Sequence, residues 1–149
     1  MIQTNNSQQA KNLLKTEKSP KMIKAGEDVF NRSMLEYGKF DVLLSIEAGN
    51  RKDSLRSIDS GFNEVLARIA AKNNIAIGID LEEIRALPRK EKALRISKIR
   101  QNIRLCRKAS VKLALIGMKD KRDAESFLIV AGASTNQLKR ALLFFKDQE

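Results

Sequence analysis

Arg100, Arg104, Arg107 and Lys108 recur at intervals of three and four residues, and the chemistry open to them is phosphate binding. Pro88 can start a helix that runs from about Arg89 to Lys108. On that helix Ile96, Ile99, Ile103 and Cys106 form a narrow apolar arc, and the four cations lie on the arc beside it. A solvated helix normally mixes acids in at i+4; this stripe carries one sign only. It is mostly arginine, whose planar fork fits phosphate oxygens. A second basic cluster, Arg51, Lys52 and Arg56, lies in the stretch IEAGNRKDSLRSIDS, residues 46–60. That stretch reads as a long loop after a buried strand, where sites sit in parallel α/β folds. It suits phosphate contact. Arg51 and Asp53 could equally hold the loop in shape by local salt bridges, one arginine orienting it while its neighbour faces a polyanion.

Other chemistries find few residues to use. The chain has no histidine and one cysteine, so there is no Ser–His or Cys–His pair and no basis for a transition-metal site. Asp80, Glu82 and Glu83 open a short helical segment and read as capping groups rather than as an acid/base or metal site. Cys106 reads as a small buried hydrophobe. With 29 Lys and Arg against 18 Asp and Glu, the formal net charge of +11 points to a polyanion, and in a cytoplasmic chain to nucleic acid. No apolar run is long enough for a membrane span, and Met1 to Gln9 is neither a signal nor a transit sequence.

The elements that must position these residues alternate between strand and helix. Phe40 to Ser45 and Ile75 to Ile79 are short apolar runs, read as buried strands. Between them Phe62, Val65, Leu66, Ile69 and Ala70 form one stripe on a helix, capped by Asp59 or Ser60. The three make a parallel βαβ unit. Upstream, Ser7 caps a helix from Gln8 to about Lys18, Lys21 to Ala25 is a strand, and Glu27 to Glu36 is a helix with Val29, Phe30, Met34 and Leu35 inward. Downstream, Lys112 to Ile116 is a fourth strand and Ala124 to Ala131 a helix that ends at Gly132. Ser134 and Gln137 form a capping box for a last helix that reaches about Phe145. Residues 1–7 read as a flexible start and 8–149 as one α/β domain of parallel βα repeats.

The strand at Phe40, the loop Asn50-Arg51-Lys52-Asp53-Ser54, and the run GFNEVLARIAAKNNIAI resemble the archaeal and eukaryotic ribonuclease P protein component 3 family. The likeness extends upstream through Met22 to Gly26 and the pair Asn31-Arg32, and downstream through the basic helix to the strand at 112–116. The resemblance implies a TIM-barrel-like fold related to the polymerase-and-histidinol-phosphatase hydrolases. Such a barrel closes with eight strands over about 200 residues or more. Only four strands are read here, so the fold expected is a shortened or partial barrel, an open sheet whose edges need cover.

The resemblance also implies a non-catalytic subunit of an endonuclease complex, a ribonucleoprotein that removes 5′ leaders in tRNA processing. Partners implied are ribonuclease P RNA, precursor tRNA, and a small ferredoxin-like or RRM-like protein subunit in a heterotetramer. The chain itself is expected to hold no cofactor, with Mg²⁺ on the partner RNA. The candidates for RNA contact are Arg32, Arg51, Lys52, Arg95, Arg100, Arg104 and Arg107. Where many members of that family have His-Pro after the strand, this chain has Ile46-Glu47, which puts an acid near the expected RNA face. The alternatives are a metal-dependent phosphoesterase of the related superfamily, against which the lack of histidine counts, and an RNA-binding subunit of another ribonucleoprotein.

Overall fold

Alternate residues of each strand face opposite sides of the sheet, and only one of those sides receives helices. The computed structural model describes residues 1–145. Its strands are β1 (Met22–Lys24), β2 (Val42–Leu44), β3 (Ala76–Asp80), β4 (Leu113–Met118) and β5 (Leu142–Phe145). They form one sheet in the order β1-β2-β3-β4-β5, with every pairing parallel. The helices are α1 (Ser7–Thr16), α2 (Asp28–Tyr37), α3 (Glu64–Lys72), α4 (Leu81–Arg85), α5 (Arg89–Ala109), α6 (Lys121–Val130) and α7 (Thr135–Arg140).

Ile23, Leu43, Ile77, Ile79, Leu113 and Leu115 point to the helical side and share the main core with Leu14, Met34, Leu66, Ile99, Ile103 and Leu128. The other side holds a smaller cluster of strand residues only: Val42, Leu44, Ala76 and Ala114, fringed by half-buried Met22, Ile116, Leu142 and Phe144. Gly78 lies under this second cluster. A Cβ there would come within 2.5 Å of Leu44 and 2.7 Å of Val42, so glycine lets the neighbouring strand's side chains close over it. Strands in sequential parallel order, with helices on one face only, are the arrangement of a partial TIM-like barrel.

Several local expectations are corrected. Asn6, not Ser7, caps α1; its side chain accepts from the backbone N–H of Gln8 and Gln9. Asn63, not Asp59 or Ser60, caps α3 by accepting from Leu66, so Phe62 is buried ahead of the helix rather than within it. Val29 is exposed on α2, because the buried arc runs through Phe30, Asn31, Met34 and Leu35 instead.

The last helix stops at Arg140. The capping box of Ser134 and Gln137 is present, but Leu142–Phe145 continues as a fifth strand beside β4. An open edge on β4 offers backbone partners to a run of four large apolar residues, and this outweighs helical continuation. The first residues, read as a flexible start, carry Ile2 into the main core. Its N–H donates to Met22 O (2.8 Å) and its carbonyl accepts from Lys24 (2.9 Å).

Candidate nucleic-acid interface

A set of ion pairs ties together the C-terminal ends of β1, β2 and β3. Asp80 caps α4 by accepting from the backbone of Glu82 and Glu83, which points Glu83 back toward the sheet. Glu83 Oε2 accepts from Lys24 Nζ (3.2 Å) and from Ser45 Oγ (3.1 Å), and Oε1 accepts from Arg95 (3.1 Å). Arg95 reaches up from α5 and also donates to Glu47 (3.1 Å). The Arg95 and Glu47 side chains are only 9% and 1% exposed. Burial raises the Glu47 carboxyl above its ordinary range, although the Arg95 charge opposes this. Burial also acts to raise Glu83, but the hydrogen bonds and charges of Arg95 and Lys24 outweigh it and hold Glu83 below its ordinary value. Every member of this group has an opposite charge beside it, so the group is a structural tie at the sheet's mouth.

The loop after β2 is held in place by one of its own cations. A short 3-10 turn, Ile46–Ala48, follows Ser45, and Arg51 then folds inward. Its guanidinium pairs with Asp28 of α2 through Nε (3.0 Å) and Nη2, and Nη1 donates to Ile46 O (3.2 Å). A Cβ on Gly49 or Gly61 would run into this guanidinium, and Gly61 also has a φ of +74°. Further out, Ser54 and Ser57 close a turn. Ser54 N–H donates to Ser57 O (3.0 Å), and Ser54 Oγ accepts from Ser57 N–H (3.1 Å). Asp53 accepts from Asp59 N–H (2.9 Å). Lys52 and Arg56 are left pointing to solvent.

The outer part of this loop lies beside the exposed face of α5. Arg100, Arg104 and Arg107 are exposed there and make no ion pair with any described residue. Lys108 is exposed too, but its ammonium donates to Glu64 of α3, and this bond holds Glu64 below its ordinary pKa. Two hollows flank Ile58. One, of about 710 Å³, is lined by residues 53–58 and by Gln101, Arg104, Leu105 and Lys108. The other, of about 450 Å³, is lined by Ile58, Ser97, Arg100, Arg104, Arg107, Ala131 and Gly132. Arg104 borders both. The surface these residues make is a shallow, cationic track with apolar ground between its charges, a form that accepts a phosphodiester backbone.

The structure thus brings together Arg100, Arg104 and Arg107, with Arg56 on the loop nearby and Lys52 exposed on the same loop. Arg51 and Arg95 are turned into the protein with their guanidinium groups engaged, and Arg32 is exposed but paired with Glu36 one turn on in α2 (3.0 Å). Glu47, expected near the RNA face, is buried instead, because Arg95 draws it inward. Asn31 is also inside; its side chain accepts from Gly26 N–H (2.8 Å) and donates to Gly26 O (3.0 Å), which fixes the turn after β1. Sequence reasoning missed the Lys24–Glu83–Arg95–Glu47 chain, whose bonded pairs lie up to 59 positions apart with no local pattern to join them. Cys106 is fully buried, and its thiol is pushed up to about 12. Among the described residues no three His, Cys, Asp or Glu side chains gather as a metal-binding group, and no helix is long and apolar enough to cross a membrane.

No protein-family model matches the chain. Over 94 residues, 63% of its length, it is 34% identical to the ribonuclease P protein component 3 of Methanosarcina acetivorans, and 33% identical to that of Methanosarcina mazei. The match takes in 36% of each relative, so the chain spans a little over a third of the curated proteins it resembles. Its fold superposes with a TM-score of 0.77 on a chain from the cryo-EM structure of an archaeal ribonuclease P with mature tRNA, at 23% identity, over 93% of this chain and 61% of that one. Over those 94 residues the chain is similar to ribonuclease P protein component 3, and its five-stranded parallel sheet fits a partial TIM-barrel-like fold.

Proposed function

We propose that this chain acts as a non-catalytic protein subunit of ribonuclease P and supports the catalytic RNA in removing 5′ leaders from precursor tRNA. The observation that carries the reading is the acid-free face of α5. There Arg100, Arg104 and Arg107 stand exposed and without an ion-pair partner among the described residues, in a chain whose curated relatives are named ribonuclease P protein component 3. On this account the protein works electrostatically. Its cations displace counterions from the RNA backbone and favour the compact fold that cleaves. The Mg²⁺ for the reaction sits on the RNA. Arg100, Arg104, Arg107 and Lys52 are the contacts proposed, with Arg32 contributing once RNA competes with Glu36. Arg51 and Arg95 act from inside, by holding the loop and the sheet's mouth. Ribonuclease P RNA is the direct partner, within an assembly that includes further protein subunits, a ferredoxin-like or RRM-like one among them. Precursor tRNA is the substrate of the whole.

Binding to ribonuclease P RNA, measured against salt, tests this. The logarithm of the binding constant should fall linearly with the logarithm of salt concentration. The triple variant Arg100→Ala/Arg104→Ala/Arg107→Ala should lower that slope by roughly 2–3, since each phosphate contact contributes about 0.9 in a duplex and about 0.7 in a single strand. Bulk RNA of the same length should bind more weakly than ribonuclease P RNA. An unchanged slope, or no preference for ribonuclease P RNA, contradicts the reading.

A further inference from the structure

Between the turn Ser54–Ser57 and α5 lies a hollow that differs from a phosphate track. Its ground is apolar, made by Leu55, Ile58 and Leu105, and its cations, Arg56, Arg104 and Lys108, stand around it. Leu55 is the most exposed large hydrophobic of the described residues, at 107% relative exposure. It is not there through slackness of the loop. The Ser54 and Ser57 hydrogen bonds close the turn that presents it, and Asp53 ties the loop at Asp59. Beside the hollow, Gln101 Oε1 is shielded from water and accepts no hydrogen bond from any described residue. A shielded amide oxygen without a donor is costly unless a ligand supplies one.

We propose that this hollow holds one unpaired nucleotide of a bound RNA strand. Its base lies against Leu55 and Ile58, the Gln101 amide turns into the hollow so that Oε1 accepts a base N–H, and its phosphate meets Arg104, with Lys108 exchanging Glu64 for it. The proposal rests on the reading of the chain as an RNA-binding subunit and deepens it. A duplex cannot use the site. Paired bases are stacked and their edges occupied, so an A-form helix offers phosphates and 2′-hydroxyls but no free apolar face. A looped or bulged nucleotide offers all three groups at once, a flat face, an N–H and a phosphate. Asp53, the acid on the lining, sits on the loop side and repels phosphate there, which leaves the α5 side for the backbone. The volume of about 710 Å³ lies within the roughly 300–1,000 Å³ of pockets that hold small organic ligands.

The test compares an unstructured RNA oligonucleotide with a blunt duplex of equal charge, by fluorescence anisotropy on the full chain. Two variants remove the site's own groups, Leu55→Ser and Gln101→Leu, and Leu94→Ser serves as a control, since Leu94 is exposed on α5 outside the hollow. Leu55→Ser should weaken single-strand binding about tenfold, the effect of losing one apolar contact of that size. Gln101→Leu should also weaken it, while duplex binding stays as in the parent and the urea midpoint does not fall, since the variant removes an unsatisfied oxygen. Single-strand binding untouched by either variant, with the salt-dependent affinity of the arginine face intact, overturns the nucleotide site and leaves the subunit reading standing. Equal losses for single strand and duplex overturn it as well. Failure of the parent chain to bind either RNA removes both readings together.

Discussion

Arg95 and Glu47 lie 48 positions apart in the sequence and meet in the interior, and their pairing makes a sharp statement about pH. Burial is the larger influence on Glu47, so its folded pKa lies above the ordinary 4.5 despite the adjacent guanidinium. Folded Glu47 therefore keeps its proton to higher pH than the unfolded chain does. Its contribution to stability is greatest below 4.5 and is lost as pH rises through the raised value. Glu83 runs the other way. Its folded pKa is lowered, so its contribution is present above 4.5 and is lost as pH falls through the folded value. Glu47→Gln isolates the first effect and leaves Arg95 its bond to Glu83. The stability of Glu47→Gln relative to the parent, from urea unfolding, should improve between pH 4 and pH 7. A relative stability that worsens over that range means that Arg95, not burial, governs Glu47.

At the scale of elements, the loop of residues 49–61 is the part whose shape decides which cations face outward. Arg51 anchors it to Asp28, and Gly61 supplies both the left-handed backbone and the space that the guanidinium fills. Gly61→Ala should cost about 1–2 kcal/mol in backbone strain, with a further loss from the displaced Arg51. Thermal unfolding should show this as a lower midpoint, and an unchanged midpoint would mean that the loop contributes little to the fold. The anchor was half legible in advance. A choice between holding the loop and facing RNA was visible at Arg51, but Asp28 as its partner was not, because the contact spans 23 positions. The stripe on α5 was legible because helical period and charge sign are local properties. The end of α7 was not, because strand β5 exists only where the edge of β4 is there to receive it.

For the whole molecule, the sequential parallel order of the first four strands follows from alternation that the sequence displays openly. The half-buried fringe of Met22, Ile116, Leu142 and Phe144 on the helix-free face does not, because it depends on which strands pair beside one another and which side chains they bring together there. The ion-pair tie at the strand ends and the cationic track on α5 divide the charged residues into two groups. Glu47, Glu83, Lys24 and Arg95 are consumed internally, while Arg100, Arg104 and Arg107 stand exposed on the outer face of α5. That division is what a protein needs if its role is to hold RNA rather than to cut it. The most direct measurement is precursor-tRNA cleavage at low Mg²⁺ by the cognate catalytic RNA with its other protein subunits, with and without this chain, and with the chain alone as control. The account predicts cleavage only when the catalytic RNA is present, a higher rate when the chain is added, and a blunted gain with the Arg100/Arg104/Arg107 triple alanine variant. No gain on addition, or cleavage by the protein alone, contradicts it.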